Sequence, residues 1–259
     1  MKNPIREKLD RGGLLLCMML RQSDMAAAEI AAQYGIDMLC IDNEHYPFNP
    51  QRVEALARAA QIYGSGVVIR VPNEEAARVA QMMDCQLQGI KIPHVETKEQ
   101  AVHHLGIVNA VKYAPVGTRG FCPITRAADY GFTASPADYP VRANRDSVVS
   151  IMVETKRGLE NLDEILSIPE IDVVAIGPSD VSASYGLPGQ PDHPVVKAAI
   201  EEGQRKIIAS GKCLCDLYKN PEQAKKAIQS GVRMFQIGSP LQLLSGGFKE
   251  LIQGVKARM

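Results

Sequence analysis

The sequence predicts a (β/α)₈ barrel, and three observations support this fold. Eight short apolar runs recur along the 259 residues, and a helical pattern accompanies each of them. The runs are continuous rather than alternating, which is typical of parallel strands that are covered on both faces. Eight strand–helix units in about 250 residues match the size of such a barrel. The alternative, an open doubly wound sheet, usually has fewer strands or an appended domain. We therefore expect one barrel domain over residues 1–259.

The apolar runs and the segments between them give the expected elements in order. The predicted strands cover residues 14–20, 36–42, 66–71, 88–95, 148–154, 171–177, 212–217 and 233–238. The predicted helices cover residues 23–35, 49–64, 73–84, 97–110, 156–167, 193–210, 220–231 and 240–259. Ser23 is the expected N-cap of the first helix, and Pro50 suits the first turn of the second. Segment 113–147, rich in Gly, Pro and aromatic residues, interrupts the pattern, and a long insertion often belongs to an active site or an interface.

Composition excludes several classes of protein. Lys and Arg total 29, as do Asp and Glu, so the formal charge is zero and no basic field exists to hold nucleic acid. The beginning of the chain, "MKNPIREKLDRGG", lacks the apolar stretch of a signal peptide, and no apolar run approaches the roughly 20 residues of a membrane helix. We expect a cytoplasmic protein that binds neither nucleic acid nor membranes.

The cysteines favour neither disulfides nor zinc. The chain has six of them, and most lie inside apolar runs, where a reduced Cys behaves as a small hydrophobic residue. A disulfide framework is not expected without a secretory signal. Cys213 and Cys215 have no second thiol pair nearby at the spacing of a zinc site.

Ionisable residues gather where the predicted strands end, which is the end of a (β/α)₈ barrel that carries its chemistry. The strand ends contain Asp42, Glu44, His45, Arg70, His94, Glu154, Asp180 and Asp216. Each of them has a structural alternative: an acid can cap a helix, a lone His can be a satisfied core residue, and Arg70 can pair with Asp42 or Glu44. Together they would place many charges in one mouth, which costs free energy unless a cation or a ligand organises them.

Two of these acids suggest a metal site. Glu154 and Asp180 follow neighbouring strands and can face each other, with no Cys or His naturally placed beside them. An oxygen-only pair suits a hard divalent ion, Mg²⁺ or Mn²⁺ or else Co²⁺, with open positions for a chelating substrate. His45 is then a candidate base and Arg70 a candidate clamp for an oxyanion. The backbone N–H groups of Ser179 and Asp180, near the start of a short helix, offer a seat for a carboxylate.

Four stretches carry a resemblance to a known family. "IDNEHYPFNP", "IRVP", "VETKRGLENLDEIL" and "IGPSDVSASYGLPGQPDHPVV" resemble the HpcH/HpaI aldolases, a family of metal-dependent pyruvate aldolases. The likeness extends from residue 4 to residue 245. It implies a barrel of the phosphoenolpyruvate/pyruvate type whose last helix packs against a neighbouring subunit in a homohexamer.

The resemblance also implies roles for individual residues. Glu154 and Asp180 match the metal ligands, and Asp180 with Ser179 matches the positions whose N–H groups hold the pyruvyl group. His45 matches the base, which takes the 4-hydroxyl proton directly or through metal-bound water, and Arg70 matches the residue that stabilises the enolate. The implied reaction is reversible cleavage of a 4-hydroxy-2-oxo acid into pyruvate and an aldehyde.

One further role rests on the resemblance alone. Asp84, in "MMDCQLQG", matches the acid that raises the basicity of the histidine. Without the resemblance, Asp84 would be interpreted as a helix-end cap. The stretch "RAADYG" also matches the family's pattern, and from it we expect segment 113–147 to belong to the mouth of the barrel.

The chain departs from the family at positions that bear on its substrate. Met152 stands where the family usually has a Gln whose amide contacts the substrate, and the loss of one buried polar contact costs on the order of 1–3 kcal/mol. Ser179 stands where alanine is common, and residues 17–19 replace a run that contains glycine and an aromatic residue. The candidate metal ligands Glu154 and Asp180 match the family, whereas the sequence does not identify the aldehyde.

Three other functions compete with this interpretation. A Schiff-base aldolase needs a lysine at the barrel mouth, but Lys91 lies short of a strand end and Lys212 at a strand start. A CoA-ester lyase of the malyl- or citramalyl-CoA type needs a basic patch for the CoA phosphates, and no basic cluster stands out. A non-catalytic protein that binds a metal and a 2-oxo acid is the third alternative, and Met152 keeps it open.

Overall fold

The computed structural model describes residues 3–71, 76–103, 109–132 and 135–257. Within these residues, eight parallel strands form a closed barrel in which each strand pairs with the next and β8 pairs with β1. The strands are β1 Leu15–Leu20, β2 Met38–Asp42, β3 Gly66–Arg70, β4 Gly89–Ile92, β5 Val148–Val153, β6 Val173–Ile176, β7 Cys213–Leu217 and β8 Met234–Gln236. Each lies within its predicted range, so the predicted fold class is confirmed.

Helices cover the outside of the barrel and close its amino end. They are α1 Pro4–Asp10, α2 Met25–Gln33, α3 Pro50–Ile62, α4 Ala76–Asp84, α5 Lys98–His103, α6 Asp138–Asp146, α7 Lys156–Glu160, α8 Leu162–Leu166, α9 Pro178–Ser184, α10 Pro194–Ala209, α11 Pro221–Gln229 and α12 Pro240–Lys256. A 3₁₀ helix covers Arg126–Gly131. Of the predicted helices, residues 73–75, 104–108, 258 and 259 lie outside the described residues.

The local predictions differ from the structure at several points. The predicted helix over 156–167 is two short helices, α7 and α8, with Asn161 between them. The predicted N-cap Ser23 is wrong because the first barrel helix begins one residue later than expected. Asp24 is the N-cap, and its Oδ1 accepts hydrogen bonds from the N–H groups of Ala26 and Ala27 at 3.0 and 3.3 Å. Helices α1 and α6 were not expected.

Two apolar layers make up the core. One layer packs the outward-facing strand residues against the helices. The other fills the barrel interior with alternate strand residues, among them Cys17, Met19, Cys40, Val68, Val173, Cys213, Cys215 and Met234. All six cysteines are free, and five of them are buried. The interior also contains the charged side chain of Lys91, which is only 1% exposed.

The amino end of the barrel is closed by α1. Ile5 on this helix is fully buried, and it packs so closely on β3 that a Cβ added to Gly66 would lie 2.5 Å from Ile5 Cγ1. Arg6 pairs with Asp172 through two hydrogen bonds of 2.8 and 2.7 Å. Asn3 donates to the carbonyl oxygen of Gln88 at 2.9 Å. The opposite, carboxyl end of the strands is therefore the open one.

The last helix, α12, stands apart from the barrel. Of its residues, only Pro240 is buried. Large apolar side chains along it remain exposed, including Leu243, Leu244, Phe248, Leu251, Ile252 and Val255. An amphipathic helix normally buries such a face, so α12 presents an apolar surface that the described chain does not cover.

None of the helices in the described ranges is both long enough and apolar enough to cross a lipid bilayer.

Candidate active site

One cavity of about 200 Å³ lies at the carboxyl ends of the strands. It brings together six of the seven predicted site residues: His45, Arg70, Met152, Glu154, Ser179 and Asp180. Connections that follow strands supply most of these side chains, because only such connections reach this end of the barrel. Of the predicted site residues, Asp84 alone does not line this cavity.

The acids Glu154 and Asp180 both line this cavity. Glu154 directly follows β5 and is 3% exposed, whereas Asp180 lies in the first turn of α9, after β6. Burial raises the pKa of Glu154, a hydrogen bond from the backbone N–H of His94 lowers it, and the Asp180 charge raises it further. No hydrogen bond or ion pair joins the Asp180 carboxylate to another described residue. A like charge nearby disfavours the ionised form of Glu154, and a bound cation would offset this effect.

Gly177 makes room for Glu154. A Cβ built on Gly177 would lie 2.6 Å from Glu154 Oε1, which is closer than any real contact of this kind. Gly177 also precedes α9 and gives that helix no side-chain cap. The first-turn N–H groups of Ser179 and Asp180 have no intrahelical partner, so they are free to receive an anion.

The donor set fits a hard divalent cation. Within the described residues, no three His, Cys, Asp or Glu side chains form a group that could hold a metal ion. The protein would thus contribute the two carboxylates of Glu154 and Asp180. Mg²⁺ is commonly bound by one or two carboxylates, while water and substrate fill its other positions. The residues present are therefore compatible with Mg²⁺ or Mn²⁺ and leave room for a chelating substrate.

Arg70 faces the cavity and is held from behind by two acids. Its Nε and Nη2 donate to Asp42 Oδ1 and Oδ2 at 3.1 and 2.8 Å, and its Nη1 lies 3.1 Å from Glu44 Oε2. The expected structural pairing with Asp42 or Glu44 is thus present with both. Burial lowers the pKa of Arg70, but Asp42 and Glu44 raise it above its usual value. A fixed and fully charged guanidinium results.

His94 joins the arginine cluster to the acid pair. Its backbone N–H donates to Glu154 Oε2 at 3.0 Å, and its Nε2 lies 3.0 Å from Glu44 Oε1. The residue has a φ of 54°, in the left-handed region, and this conformation directs both groups toward the site. The sequence placed His94 at a strand end but gave no sign of this backbone conformation, so its contacts were missed.

His45 lies at the rim of the cavity. Its side chain is 61% exposed, and its Nε2 lies 3.7 Å from Glu44 Oε2. Its backbone N–H points to Asp42 Oδ1 at 3.4 Å. The ring is thus open to a substrate on one side and faces a carboxylate on the other.

Asp84 does not reach the site within this chain. It ends α4, and a helix end that precedes a strand lies at the amino end of the barrel. There it accepts a hydrogen bond from Arg119 Nη2 at 2.5 Å. No hydrogen bond or ion pair among the described residues joins Asp84 to His45, so its assignment as the acid beside the histidine stays a prediction.

Segment 113–147 likewise lies away from the mouth, so that expectation is wrong for its described residues. Arg126 donates to the carbonyl oxygen of Cys85 at 2.7 Å, and Asp129 accepts from Gln86 at 3.0 Å. Both partners follow α4, at the amino end of the barrel. The physical reason is connectivity: the segment follows a helix and leads into β5, and such connections do not reach the carboxyl ends of the strands.

The two lysines of the Schiff-base alternative have different surroundings. Lys91 lines the cavity, closer to the site than its position in the strand suggested, and donates to Gln236 Oε1 at 3.4 Å. Burial opposes its charge, but the sulfur groups of Cys215 and Cys40 raise the pKa of Lys91 above its ordinary value. Lys212 donates to two backbone carbonyl groups outside the cavity.

Fold and cavity together define a (β/α)₈ barrel with a charged pocket at the carboxyl ends of its strands. The family model of the HpcH/HpaI aldolase/citrate lyase family matches residues 16–246. The chain belongs to this family, and it is a carbon–carbon lyase of the aldolase type. The family's aldolases depend on a divalent metal ion.

Named relatives and solved structures agree with this membership. A 2-keto-3-deoxy-L-rhamnonate aldolase of Escherichia coli K12 is 34% identical over 99% of this chain and 94% of its own length. The protein of the same name from Klebsiella pneumoniae is 36% identical over 92% of this chain and 87% of its own. A solved HpcH/HpaI aldolase/citrate lyase family protein from Burkholderia cenocepacia, 27% identical, superposes with a TM-score of 0.88 and covers 98% of this chain and 100% of its own.

Replacement of Asp42 by Asn should destabilise the protein in a pH-dependent way. The Asp42 side chain is fully buried, and removal of its charge leaves Arg70 without its main partner, which should cost about 3 kcal/mol of unfolding free energy at pH 7. Burial raises the pKa of Asp42, but hydrogen bonds from Arg70 lower it below its usual value overall. This stabilisation is therefore complete above pH ~4 and is lost as the pH falls through the lowered pKa.

Urea unfolding of the wild type and Asp42→Asn at several pH values measures this difference, and it should shrink below pH ~4. Asp10→Asn is the matched control, because its side chain is 63% exposed. A stability difference that stays constant into acid would contradict the assigned pairing.

Replacement of Gly177 by Ala should weaken metal binding. The added Cβ would push the Glu154 carboxylate from its position, and misplacement of a metal-binding carboxylate should weaken affinity about 10- to 100-fold. Calorimetric titration with Mn²⁺ measures the effect. Gly246→Ala is the control, since its added Cβ meets nothing within 4 Å. Equal Mn²⁺ affinity in both variants would argue against Glu154 as a ligand.

Proposed function

We propose that this chain cleaves a 4-hydroxy-2-oxo acid reversibly into pyruvate and an aldehyde. The observation that carries the proposal is the presence of the two acids Glu154 and Asp180 in the same cavity as the buried Arg70. When bound by the two acids, Mg²⁺ or Mn²⁺ supplies positive charge that stabilises the enolate of the 2-oxo acid. The named relatives, which are aldolases for a 2-keto-3-deoxy acid, support the same reaction class.

The first task of the protein is to hold the 2-oxo acid. The N–H groups of Ser179 and Asp180 in the first turn of α9 receive the substrate carboxylate. Arg70 donates hydrogen bonds toward the oxygen on which negative charge develops. Because Asp42 and Glu44 already fix its guanidinium, Arg70 needs no rearrangement when the enolate forms.

The second task is proton transfer. His45 takes the proton of the 4-hydroxyl group, the electron pair of the C3–C4 bond passes to the pyruvyl part, and the aldehyde leaves. The enolate then gains a proton at C3 to become pyruvate. Within the described residues, Glu44 is the acid whose carboxylate contacts the His45 ring, at 3.7 Å.

Met152 supports a second candidate, a protein that binds metal and a 2-oxo acid without turnover. Its sulfur lies 3.7 Å from Arg70 Nη1, so it contacts the enolate-stabilising residue but offers no donor to the substrate. A steady-state assay with a panel of 4-hydroxy-2-oxo acids separates the two functions. Cleavage of any of them favours the aldolase, whereas metal-dependent pyruvate binding without cleavage favours the binding protein.

Chelation and borohydride trapping distinguish metal catalysis from Schiff-base catalysis. Treatment with EDTA should abolish cleavage, and added Mn²⁺ should restore it. The reason is that the proposed mechanism relies on a divalent cation to stabilise the negative charge of the enolate. Borohydride with pyruvate should leave no covalent adduct on Lys91, which is only 1% exposed and lies inside the barrel. Mass spectrometry after borohydride treatment provides the measurement, and a pyruvate adduct on Lys91 together with EDTA-resistant activity would contradict the metal mechanism.

We propose further that α12 mediates assembly into a homo-oligomer, a hexamer by the resemblance. The support is its exposed apolar face and an apolar groove of about 670 Å³ between α2 and α12, which a helix from another copy could fill. Phe248, 62% exposed, lines this groove.

Substitution Phe248→Asp should therefore shift the particle mass in light scattering toward smaller species. Lys249→Asp, on the same helix, is the matched control because Lys249 does not line the groove. An unchanged mass for Phe248→Asp, or an equal loss in both variants, would exclude this surface as the contact.

A further inference from the structure

Lys91 is a lysine of the cavity to which the mechanism gives no task. It lies on β4, one residue before the end of the strand, and it is buried in the barrel interior. Its Nζ reaches Gln236 on β8, and β8 lies opposite β4 in the eight-stranded barrel. The Lys91 side chain therefore crosses the barrel interior. Because it lines the same cavity as Glu154 and Asp180, its Nζ group lies at the floor of that cavity.

The Nζ group of Lys91 has fewer hydrogen bonds than it has donors. Among the described residues it donates only to Gln236 Oε1, at 3.4 Å, which is longer than a strong hydrogen bond. An ammonium group has three N–H donors and a neutral amine has two. At least one donor is thus unused in either protonation state. A buried donor without a partner is unfavourable, and this one borders a cavity that a ligand can enter.

The surroundings of Lys91 supply no negative charge to match it. No ion pair joins Lys91 to another described residue. The thiols of Cys17, Cys40 and Cys215 are its neighbours, but burial raises the pKa of each, so none carries a full negative charge at neutral pH. Arg70, its register partner on β3, adds a positive charge. A negatively charged oxygen bound here would therefore receive a partner and also provide one.

The order of the strands indicates which oxygen of a bound 2-oxo acid faces Lys91. The carboxylate seat at the start of α9 follows β6, and Glu154 follows β5. The next strands around the barrel are β4 and β3, which carry Lys91 and Arg70. A 2-oxo acid whose carboxylate lies at α9 thus turns its 2-oxo oxygen toward these two residues. Negative charge develops on this oxygen when the enolate forms.

We propose that Lys91 Nζ donates a hydrogen bond to the 2-oxo oxygen of the bound acid and that this bond strengthens as the enolate forms. Lys91 is then a catalytic residue that stabilises the enolate from the floor of the cavity, beside Arg70. The inference rests on the proposed function, because it takes the N–H groups of α9 as the seat of the substrate carboxylate.

The test compares two ligands of the full-length Mn²⁺-loaded protein, pyruvate and oxalate. Oxalate mimics the pyruvate enolate, because it has the same planar shape and carries negative charge on the corresponding oxygen. Calorimetric titration gives both dissociation constants without turnover. Lys91→Met keeps most of the side-chain length and removes the donors. It should weaken oxalate binding about tenfold or more, as the loss of a hydrogen bond to a charged oxygen warrants, and pyruvate binding only about threefold.

Lys212→Met is the matched control, because Lys212 donates to two backbone carbonyl groups outside the cavity. It should leave both dissociation constants unchanged. It should also lower the urea midpoint of unfolding, whereas Lys91→Met should raise the midpoint of the metal-free protein by removing an incompletely bonded buried amine. Equal effects of Lys91→Met on pyruvate and oxalate binding, or none on either, would overturn the inference.

A crystal of the wild type with Mn²⁺ and oxalate provides a second measurement, which needs no variant. Lys91 Nζ should lie within hydrogen-bonding distance of the oxalate oxygen that Arg70 also contacts. Oxalate bound in the cavity while Lys91 Nζ contacts only Gln236 would refute the proposed role.

Exchange of the pyruvate methyl protons in D₂O separates this inference from the proposed function. The wild type should exchange them through the enolate, and Lys91→Met should do so about 100-fold more slowly. If no 4-hydroxy-2-oxo acid is cleaved but exchange and oxalate binding depend on Lys91, the proposed function fails and the role of Lys91 stands. If cleavage and exchange are equally fast in both proteins, the proposed function stands and the role of Lys91 fails.

Discussion

The site depends on two negative charges that the fold holds side by side. Glu154 and Asp180 follow neighbouring strands of a closed barrel, so the backbone brings both to the same cavity. The lack of a side chain at Gly177 admits the Glu154 carboxylate. Such an arrangement is unfavourable for the folded chain alone. We propose that a divalent cation held by both carboxylates makes the arrangement favourable, so that a cost in folding becomes affinity for the metal.

A second set of charges gives the positive side of the site its fixed geometry. Asp42 and Glu44 hold Arg70, and His94 links Glu44 to Glu154. Both halves of the site thus share one connected network. Because these groups are ordered before a substrate arrives, little reorganisation is needed as negative charge develops, and this is the main source of electrostatic catalysis.

Most of the fold and of the site could be predicted from the sequence because strand ends are easy to find in it. The ends of the eight apolar runs predict where the barrel opens. Glu154, Asp180 and Arg70 lie at or just after those ends. Segment 113–147 lies at the amino end of the barrel because it connects a helix to a strand, and neither its composition nor its family pattern reveals this. The contacts of His94 depend on its own left-handed backbone conformation. The sequence gives no sign of this conformation, because the position is not a glycine.

The central claim is that the carboxylates of Glu154 and Asp180 grip one divalent cation between them. Crystals grown with Mn²⁺ and pyruvate, measured at the manganese absorption edge, test it most directly. The account predicts a single anomalous peak in contact with both carboxylates and with the keto and carboxylate oxygens of pyruvate. A peak bound elsewhere, or the two side chains turned away from each other with no ion between them, would contradict it.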